Sequence, residues 1–225
     1  IHAKDETLIG SLTFLKNWII RSEVSDALGK IFVRNLRNNT EEELTFSEEK
    51  VYDGGVSLIQ KDRNTDLIHI SYSTPKTQSR VYLYNLKTKE KKLVKEQIIP
   101  SGHNPDNYIV ERLDCDSHDG KKIPLTIIRN KKTKIDGNAK LLLYGYGSYG
   151  NSMSASFSSN KFSLIDRDII WVTAHVRGGL ESGMKWWKEG KLLNKKNTFK
   201  DYISVAKFLI EKKYSSKGKI IGMGG

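Results

Sequence analysis

A hexapeptide repeat most constrains the fold of the first half of the chain. Ile31-Phe-Val-Arg-Asn-Leu36 returns fifty positions later as Val81-Tyr-Leu-Tyr-Asn-Leu86. The runs ahead of them, Trp18-Ile-Ile-Arg-Ser22 and Leu67-Ile-His-Ile-Ser71, are forty-nine apart. A charged turn follows each hexapeptide, Arg37-Asn-Asn-Thr-Glu41 and Lys87-Thr-Lys-Glu-Lys91, and then a further strand, Leu44-Thr-Phe46 and Lys92-Leu-Val94. A period near fifty with about four strands per unit is the pattern of β-propeller blades. The alternative is an ordinary β-meander with coincidental similarity. Two blades cannot close a ring, so the expectation is part of a propeller.

Pro100 to Pro105, with Ser101, Gly102 and Asn104, reads as a linker. Beyond it, Tyr108–Cys115 and Lys122–Arg129 flank Asp119-Gly120 as the arms of a β-hairpin. From about residue 140 the pattern changes. Lys140–Tyr144 and Ile169–Val176 are continuous apolar runs, as in strands buried on both faces. A helix is expected next, opened by a capping-box-like Thr198-x-x-Asp201. Its apolar face would be Phe199, Tyr202, Ile203, Ala206, Leu209 and Ile210, with Lys212 and Lys213 in the last turn. The strand Lys219-Ile-Ile-Gly-Met223 then runs into Gly224-Gly225. Strand, loop, strand, helix, strand is α/β architecture.

The formal net charge is +12, from 38 Lys and Arg against 26 Asp and Glu. A basic nucleic-acid binder would show salt-dependent binding. Here the lysines are scattered through turns (Lys87, Lys89, Lys91, Lys92; Lys131, Lys132, Lys134; Lys195, Lys196) and no finger or helix-turn-helix pattern accompanies them, so no nucleic-acid partner is expected. No apolar stretch reaches the ~18 residues of a membrane span, and no membrane partner is expected. The single Cys115 leaves no internal disulfide and fits a reducing compartment, so the expected location is cytoplasmic.

Gly145-Tyr-Gly-Ser-Tyr-Gly150 spells G-x-G-x-x-G after a strand. A dinucleotide site also needs a helix opening at the glycines and an acid ending the second strand. Here the polar run Asn151–Asn160 follows, and Asp166 and Asp168 precede their strand. The same loop suits acyl-transfer chemistry instead. Gly145 and Gly147 let backbone approach a substrate carbonyl, and Tyr146 is placed to donate its hydroxyl to a developing oxyanion. A tyrosine holding a turn is the other reading. A strand entering Gly224-Gly225 is how a nucleophile elbow begins.

Tyr144-Gly-Tyr-Gly-Ser-Tyr-Gly150, Leu164-Ile-Asp-Arg167, His175-Val-Arg-Gly-Gly179, Gly190-Lys-Leu-Leu193, Asn197-Thr-Phe-Lys-Asp-Tyr202 and Gly222-Met-Gly-Gly225 occur in this order. Together they resemble the prolyl oligopeptidase family of serine peptidases, and within it the oligopeptidase B (protease II) group. The resemblance is clear over about residues 75–225. It implies a partial β-propeller, its last blades in 1–105, followed in 106–225 by the first part of an α/β-hydrolase domain truncated just before the nucleophile.

The resemblance makes Tyr146 the oxyanion-hole tyrosine and places the nucleophilic Ser immediately after Gly225, in Gly-Gly-Ser-Ala-Gly-Gly. Gly145, Gly147, Arg177, Glu181, Gly224 and Gly225 become supporting residues, with Arg177 and Glu181 at the active-site entrance or the domain interface. It implies no metal and no organic cofactor. The complete enzyme would cleave small peptides after Arg or Lys, with its Asp, His and basic-specificity acids downstream. The chain alone is expected to be inactive, and a complementing C-terminal chain is a possible partner. The other reading is a non-enzymatic remnant or half of a split enzyme that binds peptides or a partner. The family's Arg-Gly-Gly-Gly-Glu is Arg177-Gly-Gly-Leu180-Glu181 here, which is unfavourable if that glycine takes positive φ. His175 is expected to be a packed histidine. His69, His103 and His118 lack metal-ligand spacing, and no reactivity is expected of Cys115.

Overall fold

A computed structural model describes residues 5–45 and 49–225. The two repeats are two four-stranded antiparallel meanders. The first consists of β1 (Thr7–Phe14), β2 (Trp18–Ser25), β3 (Leu28–Asn35) and β4 (Thr40–Glu43); the second of β5 (Asp53–Ser57), β6 (Leu67–Ser73), β7 (Arg80–Asn85) and β8 (Lys91–Glu96). The repeated Asn gives the two turns the same chemistry. The Asn35 side-chain oxygen accepts the Arg37 N–H at 2.9 Å, and Asn85 accepts that of Lys87 at 2.9 Å. Asn39 and Lys89, again fifty apart, both take positive φ, 60° and 66°. Leu15, Trp18, Ile20, Ile31 and Val33 of the first sheet share one core with Ile68, Ile70, Tyr84 and Leu86 of the second.

The strand expected at Leu44-Thr-Phe46 is displaced. The fourth strand ends at Glu43, because the Asn-seeded turn lets Thr40 pair at once with Asn35. Leu44 instead drops into the core, its N–H bonded to the Ile31 carbonyl at 2.7 Å. Phe46 lies outside the described residues.

A 3-10 turn, Pro105–Asn107, leads into a five-stranded mixed sheet. It contains β9 (Tyr108–Asp116), β10 (Lys122–Asn130), β11 (Lys140–Tyr144), β12 (Ile169–Ala174) and β13 (Ile220–Met223), in the spatial order β13-β11-β12-β10-β9. The hairpin β9–β10 and the pair β10–β12 are antiparallel; β12, β11 and β13 run parallel. Alternate residues of the central strands serve different layers. Ile123, Leu125, Ile127, Leu141, Leu143, Ile170 and Val172 join Val205 and Leu209 of α3 (Lys196–Glu211) on one face. Ile128 packs with Phe162 and Ile165 of α1 (Ser159–Ile165) on the other.

The segment after β11 is therefore not loop throughout. It ends in α1, which closes the parallel crossover to β12. A second short helix, α2 (Gly183–Lys188), was also not expected from the sequence. Both helices are too short for helical periodicity to register.

Candidate active site

Gly-rich ends of two parallel neighbours build the site. β11 and β13 pair with Leu143 opposite Gly222 and Tyr144 opposite Met223. Past the strands the pairing continues: the Gly145 N–H donates to the Met223 carbonyl at 3.0 Å. The chains run so close that a Cβ on Gly224 would strike the Gly145 carbonyl oxygen. The chain leaves β11 towards β12, and β13 returns along the other side of β11. Carboxyl ends of strands at such a divergence are where α/β sheets place ligands.

A cavity of ≈ 390 Å³ opens there, lined by Gly145, Tyr146, Gly224 and Gly225 from the strand ends and by Lys195, Thr198, Phe199 and Tyr202 from the start of α3. Tyr146 is half-buried in its wall. The Tyr202 hydroxyl donates to the Leu143 carbonyl at 2.6 Å, tying α3 to β11, and the Tyr202 ring lies where a Gly145 side chain would have to go. Gly147 has φ +61°, and a side chain there would meet Thr198, Val176 and the Arg177 carbonyl. The cavity thus presents backbone, two phenols, the hydroxyls of Ser148 and Thr198, the Lys195 amine and apolar walls. Among the described residues neither a carboxylate nor an imidazole side chain lines it.

Arg177 and Glu181 stand away from this cavity. Arg177 is 1% exposed and Asp201 0%. The Arg177 guanidinium donates to Asp201 at 2.6 and 2.9 Å and to Asp119 at 2.6 and 3.1 Å, while its own N–H also reaches Asp201. Burial works against its charge, but the hydrogen bonds it donates to both carboxylates outweigh burial and raise its pKa. The same pairing accounts for the cluster of His118, Asp119 and Asp201, whose ligand atoms lie within 4.8 Å of one another. Both carboxylates there are already bound by Arg177. Glu181 sits against the first four-stranded sheet. Its carbonyl accepts the Ala27 N–H at 2.8 Å, and its Oε1 accepts the Met153 N–H at 3.0 Å. Burial pushes its carboxyl up to about 7.

Leu180 is not among the residues with positive φ; the adjoining Gly178 is, at +109°. The leucine is therefore unstrained, and its side chain lies against the Gly150 backbone. The required glycines are Gly178, where a Cβ would hit the Gly147 carbonyl, and Gly179, where it would hit the Glu181 carboxylate. His175 is fully buried, with Nε2 2.9 Å from Thr126 Oγ1; burial, then the nearby Arg112, hold its pKa well below the usual value. It is a packed neutral histidine. Cys115 is buried and its thiol pushed up to about 11 by burial, leaving it unreactive.

The capping-box reading of Thr198-x-x-Asp201 does not hold. The helix begins at Lys196, and Thr198 lies inside its first turn, donating to the Arg177 carbonyl at 2.7 Å. Lys195, which lines the cavity, was legible in the sequence only as one of many surface lysines.

Comparison with known proteins agrees with this geometry. The model of the prolyl oligopeptidase family matches residues 155–225. The dipeptidyl aminopeptidase BI of Pseudoxanthomonas mexicana is 34% identical over 99% of this chain and 30% of its own length. Protease 2 of Moraxella lacunata is 34% identical over 75% of this chain and 24% of its own. Among solved structures, oligopeptidase B from Trypanosoma brucei with covalently bound antipain, in its closed form, superimposes with a TM-score of 0.90 at 29% identity, over all of this chain and 32% of that one. The chain therefore spans about a third or less of the length of these proteins. Ordered motifs, sheet order and alignment over nearly the whole chain agree: this chain belongs to the prolyl oligopeptidase family.

Proposed function

We propose that this chain is the part of a serine oligopeptidase that carries half of its oxyanion hole. In this reading the two four-stranded sheets are blades of a β-propeller, and the mixed sheet is the start of an α/β-hydrolase domain. The supporting observation is the adjacency of Tyr146 and Gly225 around one cavity, each at the carboxyl end of a parallel strand. In an α/β-hydrolase the loop after the third strand contributes to the oxyanion hole, and the nucleophile stands on the strand-to-helix turn. β11 is the third strand of this sheet in chain order, and β13 leads to the turn.

The mechanism follows from that placement. A Ser following Gly225 attacks the scissile carbonyl, a His takes and returns its proton, and an Asp orients the His. Negative charge collects on the carbonyl oxygen, and the Tyr146 hydroxyl donates to it there. Such a donor contributes about 3 kcal/mol in the transition state and little in the ground state. The cavity lining contains no Ser-His-Asp triad, so these 225 residues alone are expected to turn nothing over. The substrates are small peptides. Cleavage after Arg or Lys rests on the likeness to oligopeptidase B, since no acid lines the described cavity.

The test uses the protein as its gene encodes it, with peptide substrates carrying Arg, Lys or Pro before the scissile bond. Tyr146→Phe is expected to lower kcat by roughly 100- to 1000-fold with little change in KM, and a fluorophosphonate probe is expected to label a Ser directly after Gly225. Turnover only after Pro would reject the basic preference. Labelling elsewhere, or full activity in Tyr146→Phe, would reject the site. An encoded protein that ends at Gly225 and binds peptides without turnover would favour a binding module.

A further inference from the structure

We infer that Lys195 is a positioning residue for the oxyanion loop, a strut that sets Tyr146; this rests on the oligopeptidase reading above. Its ammonium donates to the Gly147 carbonyl at 2.6 Å, to Ser148 Oγ at 2.7 Å and to Thr198 Oγ1 at 3.3 Å. Two of these acceptors belong to the residues directly after Tyr146, and the third to the first turn of α3. One side chain therefore pins the loop to the helix that walls the same cavity.

The pinned backbone is one that cannot hold itself. Gly147 is in the left-handed region at φ +61°, and Tyr149 and Gly150 follow at +55° and +70°. A glycine gains no side-chain packing and has the most freedom to lose on folding, so its conformation must be fixed from outside. Lys195 does this from one side of the Gly147 carbonyl, and the bare Cα of Gly178 closes the other.

The Ser148–Lys195 contact also admits a second chemistry, a nucleophilic Ser with a Lys base, which needs a neutral amine. The strut does not depend on the charge: an ammonium gives one N–H to each of the three oxygens, and a neutral amine still donates to Gly147 and Thr198 while accepting the Ser148 O–H. A Ser148→Ala variant that keeps full kcat separates positioning from a Ser–Lys pair.

The test compares Lys195→Met with Lys196→Met, its exposed neighbour, in the full gene product. Lys195→Met is expected to cut kcat about ten- to hundredfold, as misplacing a catalytic group by about an ångström does, with KM within about twofold. Under native conditions it should also speed chymotrypsin cleavage after Tyr149, which is 88% exposed, by about tenfold, through local opening of the loop. Lys196→Met should change neither. Unchanged kcat and cleavage in Lys195→Met would overturn the inference, as would a raised KM at constant kcat, which would mean substrate binding rather than positioning. If Lys195→Met does not fold, Lys195→Gln serves with the same criteria. A wild-type protein without turnover would sink the oligopeptidase reading, and the chymotrypsin rates would still decide whether Lys195 holds the loop.

Discussion

Glu181 is 1% exposed, and its Oε2 has no hydrogen-bond partner among the described residues. Burial raises its pKa from 4.5 to about 7, against a smaller opposing effect of the Met153 N–H. The folded protein thus holds a proton that the unfolded chain releases near pH 4.5. Stability should fall as pH rises from about 4.5 to about 7 and level off above, by on the order of 3 kcal/mol. Glu181→Gln removes that proton uptake. Chemical denaturation at pH 5 and pH 8 should show the variant gaining on the parent at pH 8; parallel curves would mean that the carboxyl is ionised throughout. The Arg-Gly-Gly-Leu-Glu motif was visible in the sequence, but its meaning was not. Which backbone oxygen faces which Cα decides why Gly178 and Gly179 are required and Leu180 is tolerated, and only the folded chain shows it.

At the scale of elements, Arg177 joins three pieces that are distant in sequence: the exit of β12, the first turns of α3 through Asp201, and the turn of the β9–β10 hairpin through Asp119. Removing one partner of a buried pair leaves the other charge stranded, which costs about 3–5 kcal/mol. Arg177→Met should lose about that much in urea unfolding, and Arg177→Met with Asp201→Leu should recover part of it. No recovery would show that the arginine matters for packing alone. The same contact explains the misreading of α3. Thr198 and Asp201 looked like caps because Ser, Thr and Asp near a helix start usually are; here tertiary partners claim both. Of the expected apolar face, Leu209 is buried and Tyr202 and Ala206 pack against the core, whereas Phe199 is 60% and Ile203 53% exposed; Thr198, Asp201 and Val205 are buried beside them. Periodicity located the helix; the buried polar contacts of Thr198 and Asp201 are ones that no periodicity counts.

For the whole molecule, the strand grammar was legible. Period-two runs with a fifty-residue repeat became two meanders, and unbroken apolar runs became the centre of a mixed sheet. Strand order was not legible, since β13 lands beside β11 through pairings 79 residues apart. The described chain leaves β13 paired only with β11, and Ile221 and Met223 are about half exposed, Met223 in one cavity wall with Phe199 and Tyr202 of α3. An open strand edge next to an apolar patch favours association. Expressed as these 225 residues, the protein should scatter light as oligomers that grow with concentration; a monodisperse monomer would show that this edge is protected. The backbone contact between Gly145 and Gly224 has another consequence. It makes the spacing between the Tyr146 loop and the strand entering Gly224-Gly225 a property of the sheet, fixed by the distance between hydrogen-bonded strands, about 4.8 Å. If the proposed site is right, side chains around the cavity could diversify while the reacting atoms keep their gauge.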